Sequence, residues 1–192
     1  DECGICGGSG FIECNDGSFV CDEVECPVGI NYCLDLHAGA NLVSFYALLE
    51  NASIDDMMVS IEGNATGVIG EGVAANYNAT LGWMGSLNSI SSNSGYWVIV
   101  NEIDELCLDG AIPTDPAIEY SLHSGANLIS FPVEGSVEIP DALSNVAEGI
   151  VTGIIGEGVA ANYNPVLGWM GSLSALSGGR GYWMITTDIV SF

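Results

Sequence analysis

The stretch Gly70-Glu71-Gly72-Val73-Ala74-Ala75-Asn76-Tyr77-Asn78 returns unchanged as Gly156-Glu157-Gly158-Val159-Ala160-Ala161-Asn162-Tyr163-Asn164, an offset of 86 residues. Outward from it, the same offset aligns three further blocks without a gap. Leu36-His37-Ala38-Gly39-Ala40-Asn41-Leu42-Val43-Ser44-Phe45 matches Leu122-His123-Ser124-Gly125-Ala126-Asn127-Leu128-Ile129-Ser130-Phe131. Leu81-Gly82-Trp83-Met84-Gly85-Ser86-Leu87 recurs from Leu167 to Leu173, and Gly95-Tyr96-Trp97 recurs as Gly181-Tyr182-Trp183. Self-similarity at a fixed offset is the mark of a tandem duplication. The chain therefore divides into a cysteine-rich arm (1–33), a first module (34–106), a connector (107–119) and a second module (120–192). The connector carries Cys107, Asp109-Gly110, Pro113 and Asp115-Pro116, which are turn and extended-chain signals.

Within a copy the pattern predicts strand, with one short helix. A strand is expected over Asn41–Leu48, followed by a helix near Ser53–Ile61 that Ser53 caps and that Asp55 and Asp56 favour at its positive N-terminal end. Pro140 and Asp141 begin the equivalent helix. Extended segments over Thr66–Val73, Gly82–Leu87 and Gly95–Val100 are rich in β-branched and aromatic residues with glycine at the breaks. The expected fold class is mainly β, with two small antiparallel modules that each carry a helix and a disulfide-rich N-terminal arm. A module of about 70 residues buries little alone, so the two copies are expected to pack together and share core.

Composition narrows the partners. The chain has 192 residues, 48% of them hydrophobic, which is enough for a packed core. Asp and Glu total 25 against one basic residue, Arg180, for a formal charge of −24. Nucleic acid is excluded as a partner, because phosphate binding needs the Lys and Arg that are missing. The carboxylates must be spaced, screened by salt or bridged by cations, and calcium is the candidate ion. No uninterrupted apolar run is long enough to span a bilayer. The opening Asp1-Glu2-Cys3 has no methionine, charged region and apolar run of a targeting signal, and reads as the start of a processed or excised piece.

Six of the seven cysteines, Cys3, Cys6, Cys14, Cys21, Cys26 and Cys33, fall in the first 33 residues. That density suits a disulfide-stapled segment in an oxidising, extracellular compartment. Cys33 precedes the first module and Cys107 follows it, so a Cys33–Cys107 bridge would close that module and leave an odd cysteine among the rest. The other pairings stay open. Cys3-Gly4-Ile5-Cys6-Gly7-Gly8-Ser9-Gly10 fits the CxxCxGxG zinc-binding units of DnaJ-type chaperones, although with a single unit, Cys21 and Cys26 separated by four residues and no histidine nearby, tetrahedral zinc lacks its second thiolate pair or a histidine. The run Asp1 to Gly8 more closely resembles the DECGxCGG stretches of large secreted proteins of marine bacteria, which implies an extracellular stalk or spacer.

The repeated blocks resemble small modules of secreted and cell-surface proteins of bacteria and archaea that start with a GxNLISxP-like motif and end with a GYWV-like one. Here the starts are Gly39 to Phe45 and Gly125 to Pro132, and the ends are Gly95-Tyr96-Trp97-Val98 and Gly181-Tyr182-Trp183-Met184. Tyr46 stands where the motif has proline, and Met184 where it has valine. The resemblance spans both copies. It implies architecture and an extracellular location, and it brings no catalytic residues.

His37 and His123 hold one repeat position beside a glycine turn, where an imidazole hydrogen-bonds backbone; a shared metal site is the alternative. Glu71 and Glu157, each between two glycines, sit either at a bulge facing solvent or on a cation such as calcium. No Gly-x-Ser-x-Gly elbow or dinucleotide loop is present, and no catalytic residue is assigned. Trp83, Tyr96, Trp97, Trp169, Tyr182 and Trp183 offer rings on which sugars could stack. A Tyr-Trp pair in a strand sends one side chain to each face, so one of each pair belongs to the core. Glycosylation sequons occur at Asn51, Asn64 and Asn78, all in the first copy. The expected function is that of an extracellular structural protein, not an enzyme, that self-associates in a surface fibre, stalk or layer. A glycan-binding or adhesion module is the second reading.

Overall fold

The structure is a computed structural model, and it describes residues 12–13, 19–21, 29–143 and 149–192. Strands β1 (Ile12–Glu13) and β2 (Phe19–Val20) pair antiparallel. The first module runs through β3 (Ile30–Leu36), β4 (Gly39–Val43), β5 (Ala47–Leu48), α1 (Ile54–Met57), a 3-10 turn (Val59–Ile61), β6 (Ala65–Gly70), β7 (Val73–Asn78), β8 (Gly82–Gly85), β9 (Tyr96–Val100) and β10 (Asp104–Pro113). The second runs through β11 (Ser121–Leu122), β12 (Gly125–Ile129), β13 (Ser136–Glu138), α2 (Ile139–Ala142), β14 (Val151–Gly156), β15 (Val159–Asn164), β16 (Gly168–Gly171), β17 (Ala175–Ser177), β18 (Tyr182–Thr186) and β19 (Val190–Ser191). Among the described residues no helix is long and apolar enough to cross a membrane.

Each copy builds a five-stranded antiparallel sheet of the same topology, β4-β9-β6-β7-β8 in the first and β12-β18-β14-β15-β16 in the second. The chain returns late to insert β9 between β4 and β6, and β18 between β12 and β14, so β4 and β12 are left as sheet edges. The period-two pleat sorts the side chains. Along β9, Tyr96, Val98 and Val100 point into the core while Trp97 and Ile99 face outward. The α1 helix starts where expected: the Ser53 hydroxyl accepts the Asp56 N–H, and Ile54 and Met57 turn inward.

Four features depart from the sequence reading. The strand expected over Asn41–Leu48 breaks after Val43 and resumes at Ala47. The extended segment expected over Thr66–Val73 is a hairpin whose two-residue turn is Glu71-Gly72, with Gly70 paired to Val73. Gly72 adopts a φ of +70°, a left-handed conformation open to glycine. The first half of the expected connector is strand: β10 pairs with β3 from Asp104↔Leu36 to Ala111↔Ile30 and places Cys107 opposite Cys33. The Cys33–Cys107 disulfide joins the two strands there, and Cys21 is also disulfide-bonded.

The fourth departure concerns the core. Leu36, Phe45, Met57, Ile61, Val68, Val98, Leu106 and their neighbours form one cluster, and Leu122, Ile139, Ile154, Leu176, Met184 and theirs form another. No residue belongs to both. The copies do pack together, but through a polar seam between sheet edges, because each sheet already has its own strands and helix to bury its inner face.

Candidate functional site

The two modules meet at a joint that reads the same from either side. The β6–β7 turn of the first module presents Glu71 to the edge strand β12 of the second. One carboxylate oxygen lies 2.6 Å from His123 Nε2, and the other accepts the Leu128 N–H at 2.7 Å. In the opposite direction, Glu157 on the β14–β15 turn lies 2.5 Å from His37 Nε2 and accepts the Leu42 N–H at 2.8 Å.

Backbone completes the seam. Gly95 donates to the Leu128 carbonyl at 3.1 Å, and Gly181 donates to the Leu42 carbonyl at 3.2 Å. Ser130 N–H bonds the Asn93 carbonyl, and Ser44 N–H bonds the Gly179 carbonyl. Val43 bridges to Arg180 and Ser94 to Ile129. The β4 edge and the β12 edge are thus each occupied by the other module, which covers strands that a lone module would leave unpaired, while β8 and β16 form the opposite edges. Leu42 and Leu128, each 3% exposed, are the apolar residues buried there. Gly95 and Gly181 are required by close approach, since a Cβ at either would lie 2.8 Å from the Ile129 carbonyl oxygen or 2.7 Å from that of Val43.

The histidines are held in one orientation. Asn41 Oδ1 accepts the His37 N–H and its Nδ2 donates to the His37 carbonyl, fixing the turn before β4; Asn127 does the same for His123. His37 Nδ1 then lies 2.9 Å from the Ala38 carbonyl, and His123 Nδ1 2.9 Å from that of Ser124. Both ring nitrogens therefore face acceptors, an arrangement satisfied in full only by the imidazolium. Both pKa values lie above the ordinary 6.5, raised first by the Ala38 or Ser124 carbonyl and then by Glu157 or Glu71. Burial pushes the Glu157 carboxyl up, but the Leu42 N–H, the His37 ring and the Arg180 charge outweigh it and hold the pKa below the ordinary 4.5.

Arg180 completes an unusual distribution of charge. The chain's basic side chains are one arginine and two histidines, and all three sit at the joint. A cleft of about 620 Å³ opens beside it, lined by Asp35, His37, Leu42, Ile103, Glu157 and Arg180 among others. Ser94 holds the equivalent place on the other side, so Arg180 is where the twofold likeness is broken.

The other candidate residues are dispersed. Glu71 and Glu157, weighed as bulge or calcium residues, stand on hairpin turns with their carboxylate oxygens engaged across the joint. The group of three ligand-type residues that comes together among the described residues is Cys33, Glu105 and Cys107, and two of these form the disulfide. Tyr96 and Tyr182 are buried, their hydroxyls accepting from Ser91 N–H and Ser177 N–H. Trp83 and Trp169 pack on their cores, Trp83 edge-on to Tyr77 and Trp169 tilted against Tyr163. Trp97 and Trp183 remain half-buried on the outer sheet faces, beside the exposed Ile69 and Ile155 that pair with them across the strands. Asn51 and Asn78 are exposed, whereas Asn64 is bonded at both ends of its amide. Cys3, Cys6, Cys14 and Cys26, and the zinc pattern within them, lie outside the described residues.

Sequence reasoning missed the Glu–His pairing. Its signal was present in the exact recurrence of Gly-Glu-Gly and of Leu-His-x-Gly-Ala-Asn, which are the two halves of the joint. No family model, curated protein or solved structure matches the chain.

Proposed function

We propose that this is an extracellular structural protein, a subunit or segment of a surface fibre, stalk or layer that is built by stacking β modules. The observation that carries the reading is the joint, in which each module supplies what closes one edge of the other's sheet and both histidines are spent on that contact, with Arg180 beside them. The Cys33–Cys107 disulfide favours an oxidising compartment. The charge of −24 keeps the free surface repulsive and confines association to faces that are locally neutral. Electron microscopy and size-exclusion chromatography under non-reducing conditions, with and without calcium, test this. Ordered assemblies are expected, and a strictly monomeric species at every concentration and calcium level would sink the reading.

A glycan-binding or adhesion role is the second reading, favoured by Trp97 and Trp183, which keep part of an indole open on an apolar outer face. Retention on polysaccharide affinity gels that is lost in folded Trp97→Ala and Trp183→Ala variants would establish it.

A further inference from the structure

We propose that the joint is a general docking face whose occupant is a module of a second copy of this chain, so that modules exchange between molecules and link them. This rests on the assembly reading and gives it a surface. Each module carries both halves of the joint. The first holds Glu71 and Gly95 as well as His37 and Leu42, and the second holds Glu157 and Gly181 as well as His123 and Leu128. A face with both halves is self-complementary. The second module of one chain can therefore receive the first module of the next through the contacts seen here, with Glu157 on His37, Glu71 on His123, and the Leu42 and Leu128 edges capped in turn.

Two observations favour this occupant over any other protein. The face is charge-balanced, with Glu71 and Glu157 set against His37, His123 and Arg180, and it lies within a chain whose free surface is otherwise acidic. Two copies thus repel everywhere except where these contacts form. The cores are also separate, so opening the joint leaves each module's own packing intact. The route between them is the stretch from Thr114 to Tyr120: the Thr114 N–H ties it to the Tyr46 carbonyl of the first module, the Ala117 and Ile118 N–H groups turn it on Asp115, and Tyr120 is anchored in the second module by bonds in both directions to Phe192 and by its hydroxyl on Ser130. Paired within one chain, the joint gives a closed monomer. Exchanged reciprocally it gives a dimer, and passed on from chain to chain it gives an open fibre.

The test uses the full chain with its disulfides intact. Isotope-labelled and unlabelled chains are unfolded together in denaturant, refolded, and weighed by native mass spectrometry. A short tether gives an effective concentration on the order of 1 mM, so at chain concentrations approaching that value mixed-mass dimers should become as abundant as closed monomers. Folded chains that are mixed without unfolding should give at least ten-fold fewer. Deleting Pro116 and Ala117 shortens the tether and should raise the exchanged fraction further. The Glu71→Ala/Glu157→Ala chain should lose it. Return to closed monomer alone, in both the parent and the shortened chain, would overturn the proposal, as would mixed dimers that persist undiminished in the double variant. Mixed dimers without any filament in the microscope would uphold exchange and sink the assembly reading. Filaments that form equally well from the double variant would uphold assembly and sink exchange.

Discussion

Glu157 lies against His37 although 120 residues separate them, and the same carboxylate takes the Leu42 N–H of the strand that follows. One side chain thus fixes a ring and closes a sheet edge in the other module. Glu157→Gln keeps the shape but replaces a charged acceptor with a neutral one. A loss of about 1–2 kcal/mol is expected from the weakened bond to the buried Leu42 amide. Chemical denaturation reads it, and an unchanged midpoint would show that the contact is idle.

The joint should have a pH window. His37 and His123 have raised pKa values, so their contribution is complete below the ordinary imidazole value of 6.5 and is lost as pH rises through the raised values. Glu157 has a lowered pKa, so its contribution is present above the ordinary 4.5 and is lost as pH falls through the lowered value. Tm should be highest between these limits and decline on both sides. Proton NMR of the two imidazoles checks the basic limb, and rings that titrate at the ordinary value would refute it.

Gly95→Ala and Gly181→Ala test how closely the modules approach. Either Cβ would press into a carbonyl oxygen of the other module's edge strand. Backbone must move, at an expected cost of about 1–3 kcal/mol. A crystal structure or amide exchange should place the disturbance at Leu128–Ile129 or Leu42–Val43, with both cores unaltered.

The Cys33–Cys107 disulfide closes a loop with a sequence separation of 74. By the chain-entropy argument its removal in Cys33→Ser/Cys107→Ser should cost about 4 kcal/mol. Calorimetry should show the first module melting earlier while the second is little changed.

The sequons should behave differently from one another. In a host with N-linked glycosylation, glycopeptide mass spectrometry should find Asn78 modified, because it is exposed and uses only its Oδ1, toward the Thr80 and Leu81 N–H groups. Asn64 should stay bare. Its amide accepts from Asn101 and Glu102 N–H and donates to the Glu102 carbonyl and Asp104, pinning the turn into β10. Full occupancy at Asn64 in folded protein would contradict that placement.

Much of the fold was legible because its signals are local. The offset of 86 gave two modules, Ser53 gave the helix start, and the alternation at Tyr-Trp required one ring in and one out. The connector and the joint depended on partners distant in sequence. Asp109-Gly110 and Pro113 read as connector, yet Gly110 at φ +74° serves an irregularity between Leu108 and Ala111 inside β10, and Pro113 ends the strand. Gly70-Glu71-Gly72 read as one extended run because the return strand Val73–Asn78 is half-buried and only weakly alternating. The Glu–His contacts join a residue of one copy to a residue of the other, and a single sequence holds no pairing information of that kind.

The crossing of those contacts also bears on how such a gene can change. His37 answers to Glu157 rather than to Glu71 of its own copy, so neither half of the duplication can drift alone at these positions. A substitution in one copy is felt by the other, and only a matching change there restores the fit. This mutual dependence acts at Glu71, Glu157, His37, His123, Leu42 and Leu128, the positions that meet across the joint.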